Sequence, residues 1–388
     1  MAAARYTPEE TIARLVGFDT VSARSNLALI DFVDGYLAGH GVPTRRTTSD
    51  DGDKANLFAT LGPQTAGGVV LSGHTDVVPV DGQDWSSDPF AVVERDGRLY
   101  GRGTADMKSF LSTALALVPE FQAADLKVPV HLALSYDEEV GCLGVGRLIA
   151  DVTANLPAPR AVVVGEPTEM RVMTAHKGVT TARTEITGRE THSSQPHRGA
   201  SATMAAGEII AHITHLAREA AEHGPHDERF DPPCTTFNVA PVEGGTAVNI
   251  LARHCAFDWE IRMLPGSDGE EHYARVLRFA EQTVLPRLRR TAPEAAIATA
   301  RMCAVPPLAP EDDGAAEALV RRLTGDNATG AAAFASEAGT FQRAGLSTVI
   351  CGPGSIDQAH RPDEFIALEQ VEACRRFLLR LRDWAATG

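Results

Sequence analysis

The chain has 388 residues, of which 44% are hydrophobic and 22% charged, and its formal net charge is −15. That length exceeds one ordinary core and points to two domains, and the apolar content argues against disorder. The acidic balance disfavours nucleic acid as a partner, and no run is long and apolar enough to span a bilayer.

The N-terminus, Met-Ala-Ala-Ala-Arg-Tyr-Thr-Pro-Glu-Glu, shows no apolar segment of a secretory signal. Six cysteines stand at 142, 234, 255, 303, 351 and 374, and none forms a C-x-x-C pair. Neither a zinc knuckle nor a redox motif is indicated, and scattered thiols fit a reducing, cytoplasmic setting.

In chain order, Leu27, Ile30, Val33 and Leu37 recur at helical spacing until Gly39 and Gly41 break the pattern. Strands are expected at Asn56–Leu61 and Val69–Ser72. Asp96-Gly97 between Ala91–Glu94 and Arg98–Tyr100 signals a hairpin. A helix is expected from near Lys108 to Phe121, then strands at Val128–Ser135 and Ala161–Val164. Strands alternating with helices indicate a wound, mostly parallel sheet.

The composition shifts near residue 178. A strand (Thr180–Thr187), a helix (Ala200–Ala220), two strands (Thr235–Val242 and Cys255–Met263) and a helix (His272–Arg287) follow, the pattern of a separate α+β sandwich. The proline-bounded, basic stretch Leu285–Pro293 reads as the return linker. The wound pattern then resumes with a helix at Ala315–Leu323, a strand at Ser347–Cys351 and a helix at Ala367–Trp384. The expected domains are therefore 1–178 and 292–388 for an α/β catalytic domain, with 179–291 inserted into it.

Five acidic or histidine clusters fall at expected strand ends, where wound sheets build their sites. Ser-Gly-His74-Thr-Asp76 closes the strand at Val69–Ser72. By itself it suits a metal ligand with its orienting carboxylate or a plain strand-end turn equally well. Gly-Arg-Gly-Thr-Ala-Asp106-Met-Lys sets Asp106 at a helix mouth, where an N-cap is the simpler reading. Asp137-Glu138-Glu139-Val-Gly ends a buried strand. Adjacent carboxylates converging on one site repel unless protons or cations intervene. Gly-Glu166-Pro-Thr again empties an apolar strand into a carboxylate, and Gly-Pro-Gly-Ser-Ile-Asp-Gln-Ala-His360 follows the strand Ser347–Cys351. Two histidines and at least three carboxylates suit two borderline metals that share a bridging carboxylate.

These motifs in this order resemble the M20 metallopeptidase family, within its acetylornithine deacetylase branch, over nearly the whole chain. The Gly-Pro-Gly-Ser-x-x-Gln-Ala-His stretch points most to that branch. The resemblance implies a zinc-hydrolase catalytic domain with an inserted lid and dimerisation domain, and removal of the acyl group from N-acetylornithine in arginine biosynthesis. It implies two divalent ions, zinc with cobalt able to substitute. His74 and Glu166 would hold one, Glu139 and His360 the other, and Asp106 would bridge them. Asp76 would orient His74, Glu138 would be the general base, and the Asp106–Met107 bond would be cis.

Gly-Arg-Glu-Thr-His192-Ser-Ser resembles the family segment whose histidine reaches a partner subunit's site. Asn249 and Arg262 lie in stretches that resemble its contacts to the substrate carboxylate. Read without the resemblance, His192 is a surface-loop histidine and Arg262 an exposed strand-end charge. Glu337 is the candidate for a substrate ammonium. Its surroundings, Ser-Glu-Ala-Gly, fit the branch only loosely, and Glu190 and Thr191 replace small residues before His192. The alternatives are a desuccinylase, aminoacylase or dipeptidase of the same framework, or a metal-binding protein that has lost catalysis.

Overall fold

The computed structural model describes residues 4–267 and 269–388. In chain order the first strands are β1 (Thr44–Thr48), β2 (Ala55–Leu61), β3 (Val69–His74), β4 (Val93–Arg95), β5 (Arg98–Tyr100), β6 (Val130–Ser135), β7 (Ala161–Pro167) and β8 (Val172–His176). Then come β9 (Gly178–Thr187), β10 (Thr236–Gly244), β11 (His254–Met263), β12 (Ala296–Val305), β13 (Thr329–Ala332), β14 (Thr348–Gly352) and β15 (Phe365–Ala367).

The described chain divides into two units. The first comprises the described residues up to 175, with 308–331 and 336–388. Its main sheet runs in the order β1-β2-β6-β3-β7-β14-β8-β13. β6, β3, β7 and β14 are mutually parallel, while β2 and β8 flank them antiparallel. Every residue of these four parallel strands is buried. Near-continuous apolar runs such as Val-Val-Leu and Ala-Val-Val-Val produce strands covered on both faces, as parallel sheets require. Residues of the helices Leu27–Gly39, Lys108–Ala116, Ala315–Thr324 and Leu368–Thr387 fill the same core. A small sheet, β15-β5-β4, accompanies it, and the Asp96-Gly97 turn sits in its hairpin as expected.

The registers align the parallel strands at one end. His74 stands opposite Ser135, and Ser72 opposite Val164. The C-terminal ends of β3, β6, β7 and β14 therefore come level, and each of the sequence clusters issues from this edge or from a loop beside it.

The second unit comprises residues 176–307 with 332–335. It is an antiparallel sheet, β10-β11-β9-β12. Alternate residues of β9 are buried, and Ile186, Phe257, Trp259 and Ile261 join Ile209, Ile213 and Val276 in one core under its helices. The Trp259 indole donates to Thr184 Oγ1 at 2.9 Å, so this polar tip stays satisfied.

Three differences from the sequence reading have physical causes. The helix expected over 108–121 breaks at Leu117, just before Pro119 in the first turn of a second helix. The stretch expected to be a linker from Leu285 is helical to Arg289, because Pro286 lies in the first turn of a helical segment that follows a π turn at Ala280–Val284. The chain then forms β12, which pairs with β9. The inserted unit thus runs on to Pro307, past the expected boundary at 291.

Candidate metal centre and active site

β3 delivers His74 with its ring buried. The ring is fixed by its neighbour's main chain, as Nδ1–H donates to the Asp76 carbonyl at 2.8 Å. Nε2 faces the interior of the site, 3.0 Å from Asp106 Oδ1 and 4.0 Å from Glu166 Oε1. Asp106 presents its other oxygen, Oδ2, to His360 Nε2 at 3.2 Å. His360 Nε2 also lies 3.1 Å from Glu139 Oε2. One carboxylate thus stands between two imidazoles, each with a further carboxylate beside it.

Ligand atoms of His74, Asp106 and Glu139 lie within 4.8 Å of one another, and so do those of His74, Glu138 and Glu166. All five expected ligands therefore converge, with Glu138 among them. The Asp106–Met107 peptide is cis, as the resemblance implied.

The role expected of Asp76 is corrected in part. Its main-chain oxygen, rather than its carboxylate, holds His74; Oδ1 is 3.7 Å from Nδ1. The carboxylate instead accepts from the Glu138 N–H at 3.1 Å, the Glu139 N–H at 3.3 Å and Ser22 Oγ at 2.7 Å. It fixes the turn that carries both glutamates, which begins at Asp137 with a φ of +57°. Lys54 pairs with Asp137 on the same turn.

Negative charge dominates the site. Burial, with the neighbouring Glu139, Asp106 and Asp76 carboxylates, pushes Glu138 up to about 8. Burial and Asp106 push Glu139 to about 7. Burial and Asp106 also hold Glu166 well above its usual range, and its Oε1 has no hydrogen-bond partner among the described residues. Burial would raise Asp106 as well, but hydrogen bonds from His360 and His74 hold it low. Those with Asp106 and Glu139 push His360 to about 10. Four carboxylates, those of Asp106 and Glu166 buried and those of Glu138 and Glu139 half-buried, and two imidazoles form a donor set that suits two divalent cations, whose charge would relieve this crowding.

Gly165 lets the site close. A Cβ there would lie 2.1 Å from the Phe110 ring, so only glycine allows β7 to carry Glu166 past that side chain.

Glu337 is placed differently from its expected contact with a substrate ammonium. It is only 1% exposed and accepts from Ser72 Oγ at 2.5 Å and Ser135 Oγ at 2.7 Å. Its carboxylate braces the ends of β3 and β6 and offers no open face. Neither serine, nor Ser22, carried a signal in the sequence, since each matters only once strands distant in sequence lie side by side.

His192, Asn249 and Arg262 belong to the second unit. His192 is exposed, and its Nδ1 accepts the Ser194 N–H at 3.2 Å. The Asn249 carbonyl accepts the Ser193 N–H at 2.9 Å, which ties the two segments together. Arg262 pairs with Glu260 at 3.2 Å.

A model of peptidase family M20/M25/M40 matches residues 70–383. The chain belongs to that family. Among its relatives, the acetylornithine deacetylase of Myxococcus xanthus is 37% identical over 383 residues, 95% of each chain. That of Proteus mirabilis is 32% identical over 364 residues, covering 94% of this chain and 91% of its own. Among solved structures, a tripeptidase from Staphylococcus aureus matches with a TM-score of 0.76 at 17% identity, over 100% of both chains. An M20 family metallo-carboxypeptidase from Sulfolobus solfataricus gives 0.75 at 17% identity, over 98% of this chain and 99% of its own. At such identities the likeness is one of fold. With M20 membership and this donor set, the chain is a metal-dependent amidohydrolase.

Proposed function

We propose that this hydrolase removes the acyl group from the nitrogen of a small amino acid, and that its substrate is N-acetylornithine, giving ornithine and acetate. The observation that carries the reaction type is the convergence of His74, Asp106, Glu139, Glu166 and His360 at one end of the parallel sheet, with Glu138 among them. The substrate rests on relatives named acetylornithine deacetylase that align over nearly the full length of both chains.

His74 and Glu166 would hold one ion and Glu139 and His360 the other, with Asp106 between the two pairs. The donors are borderline and suit zinc, with cobalt able to substitute. When bound, the pair supplies a Lewis acid for the scissile carbonyl and a water acidified to a pKa of about 7. Glu138 would act as the general base and acid, accepting a proton from the attacking water and giving one to the leaving amine. Asp76, through the Glu138 N–H, fixes where that carboxylate sits.

His192 serves as an oxyanion donor. Because Nδ1 accepts from Ser194, the neutral ring carries its proton on Nε2, free to donate. Arg262 and Asn249 hold the substrate α-carboxylate by charge-assisted bonds. The inserted unit forms a homodimer interface and His192 acts across it. In support, β10 is an edge strand exposed along most of its length, with Val248, four residues beyond it, at 102% exposure. Six free cysteines fit a cytoplasmic enzyme, and no described helix is long and apolar enough to cross a membrane.

A panel of N-acetyl, N-succinyl and dipeptide substrates tests the reading, with added zinc or cobalt. N-acetylornithine should give the highest kcat/KM. A preference for succinyl-diaminopimelate, another N-acyl amino acid or a dipeptide would reassign the substrate within the family.

A further inference from the structure

A buried ion pair outside the ligand cluster joins the two loops that carry Asp106 and His360. Arg102 and Glu364 are each 1% exposed, and Arg102 Nη1 donates to Glu364 Oε2 at 2.7 Å. The other oxygen, Oε1, accepts three main-chain N–H groups at once, from Gly103 at 3.1 Å, Ala105 at 2.8 Å and Asp106 at 3.1 Å. The loop that ends in Asp106 is therefore wrapped around the Glu364 carboxylate.

The same pair reaches the His360 loop. Glu364 follows His360 by four residues. Arg102 Nη2 donates to Gln83 Oε1 at 2.6 Å, and the Gln83 amide donates to the His360 carbonyl at 2.8 Å. Arg102 Nη1 also reaches the Arg361 carbonyl at 3.3 Å. The tie matters because His360 sits at a φ of +64°, a left-handed conformation that a non-glycine residue adopts only when its surroundings hold it there. β15 pairs with β5, setting Phe365 opposite Tyr100, and the Gly101 N–H donates to the Glu364 carbonyl at 2.9 Å. That pairing brings Arg102 and Glu364 together.

A buried ion pair is a poor choice for stability alone, since well-packed apolar side chains of similar volume often serve as well or better. What this pair supplies is position. Resting on the two-ion reading of the site, we infer that Arg102 and Glu364 are positioning residues that set the separation of Asp106 and His360, and with it the affinity of the ion on the Glu139–His360 side. That ion takes two ligands from the clamped loops, Asp106 and His360. The ion on the His74–Glu166 side takes only Asp106, its other ligands standing on β3 and β7. Loosening the clamp should therefore weaken the two ions unequally.

The test is titration of metal-stripped protein with Zn²⁺ against a chromophoric chelator, resolving two dissociation constants. Glu139→Gln marks which constant belongs to the His360 side. In Glu364→Gln and Arg102→Met that constant should rise about 10–100-fold, as is typical when a partner of a metal ligand is lost, while the other changes by less than about threefold. Gln83→Ala removes the bridge from Arg102 Nη2 to the His360 carbonyl and leaves the Arg102–Glu364 contact itself in place, so it reads the same effect if the first two variants fold poorly. In it the same constant should rise by at least about threefold. Constants that stay at the wild-type values, or that rise together by one factor as stability falls, would overturn the inference. A wild-type chain that binds fewer than two ions would overturn the proposed function and this inference with it. A two-ion wild type with unshifted variants would overturn the inference alone.

Discussion

At the scale of residues, Glu138 and Glu139 are neighbours for which different duties are proposed, and their surroundings tell them apart. Both N–H groups point back to Asp76, so the turn is fixed, and only Glu139 reaches His360. Glu138 approaches His74 and Glu166 instead, without a hydrogen bond to either imidazole. Glu138→Gln should therefore lower kcat by about 10²–10⁴, the usual worth of a positioned proton carrier, with KM little changed. Metal content, measured on the same sample, should stay at the wild-type level. Activity within tenfold of wild type would remove Glu138 as the base.

His74, Glu138, Glu139 and Glu166 were legible in the sequence because their clusters each follow an apolar run and so had to stand at a strand end, whereas Asp106, at a helix mouth, gained its reading from the family resemblance. The use of the Asp76 carboxylate was not legible, since the N–H groups it accepts lie 62 and 63 residues away and come near only when β3 and β6 pair. Glu337 was misread for the same reason: its partners, Ser72 and Ser135, sit on those two strands.

At the scale of elements, the parallel core was readable as continuous apolar runs, and the Asp96-Gly97 hairpin as turn chemistry. β12 was not, because Ala-Ile-Ala-Thr-Ala carries weak strand preference and the strand lies at a sheet edge, mostly exposed. The helix Pro8–Val16 did carry a signal that went unused, the capping box of Thr7 and Glu10 with Pro8 in the first turn.

β6 also makes a testable link between burial and pH. His131 is buried between β2 and β6, against Thr60 Oγ1 at 2.9 Å and the Phe58 ring at 5.2 Å, and burial lowers it to about 4. Its folded-state pKa lies below the unfolded value of about 6.5. The unfolded chain thus takes up a proton first as pH falls. Stability that is complete above pH 6.5 is lost between there and about pH 4, by up to about 3 kcal/mol from this group. Urea unfolding of wild type and His131→Gln at pH 7 and pH 5 isolates the effect. The variant should show the smaller drop, and equal drops would contradict the assignment.

At the scale of the whole molecule, the residues with proposed roles fall in both units. The first holds every proposed metal ligand and Glu138, and the second holds His192, Asn249 and Arg262. If His192 works across a dimer, mixed subunits should rescue one another. His192→Ala alone should lose about 10²–10³ in kcat, the scale of one oxyanion donor. Glu138→Ala alone should be inactive. After subunit exchange, mixtures of the two should regain a fraction of wild-type turnover. Inactive mixtures, with exchange verified by mass, would place His192 in its own subunit's chemistry or outside it.

The most direct measurement is the number of divalent ions that metal-stripped protein binds per chain after equilibration with zinc and removal of excess, read by elemental analysis. Two ions per chain are expected, falling to one in Glu139→Ala and in Glu166→Ala, each of which removes a ligand from a different ion. One ion or none in the wild type, or two retained in both variants, would contradict a paired centre built from these side chains.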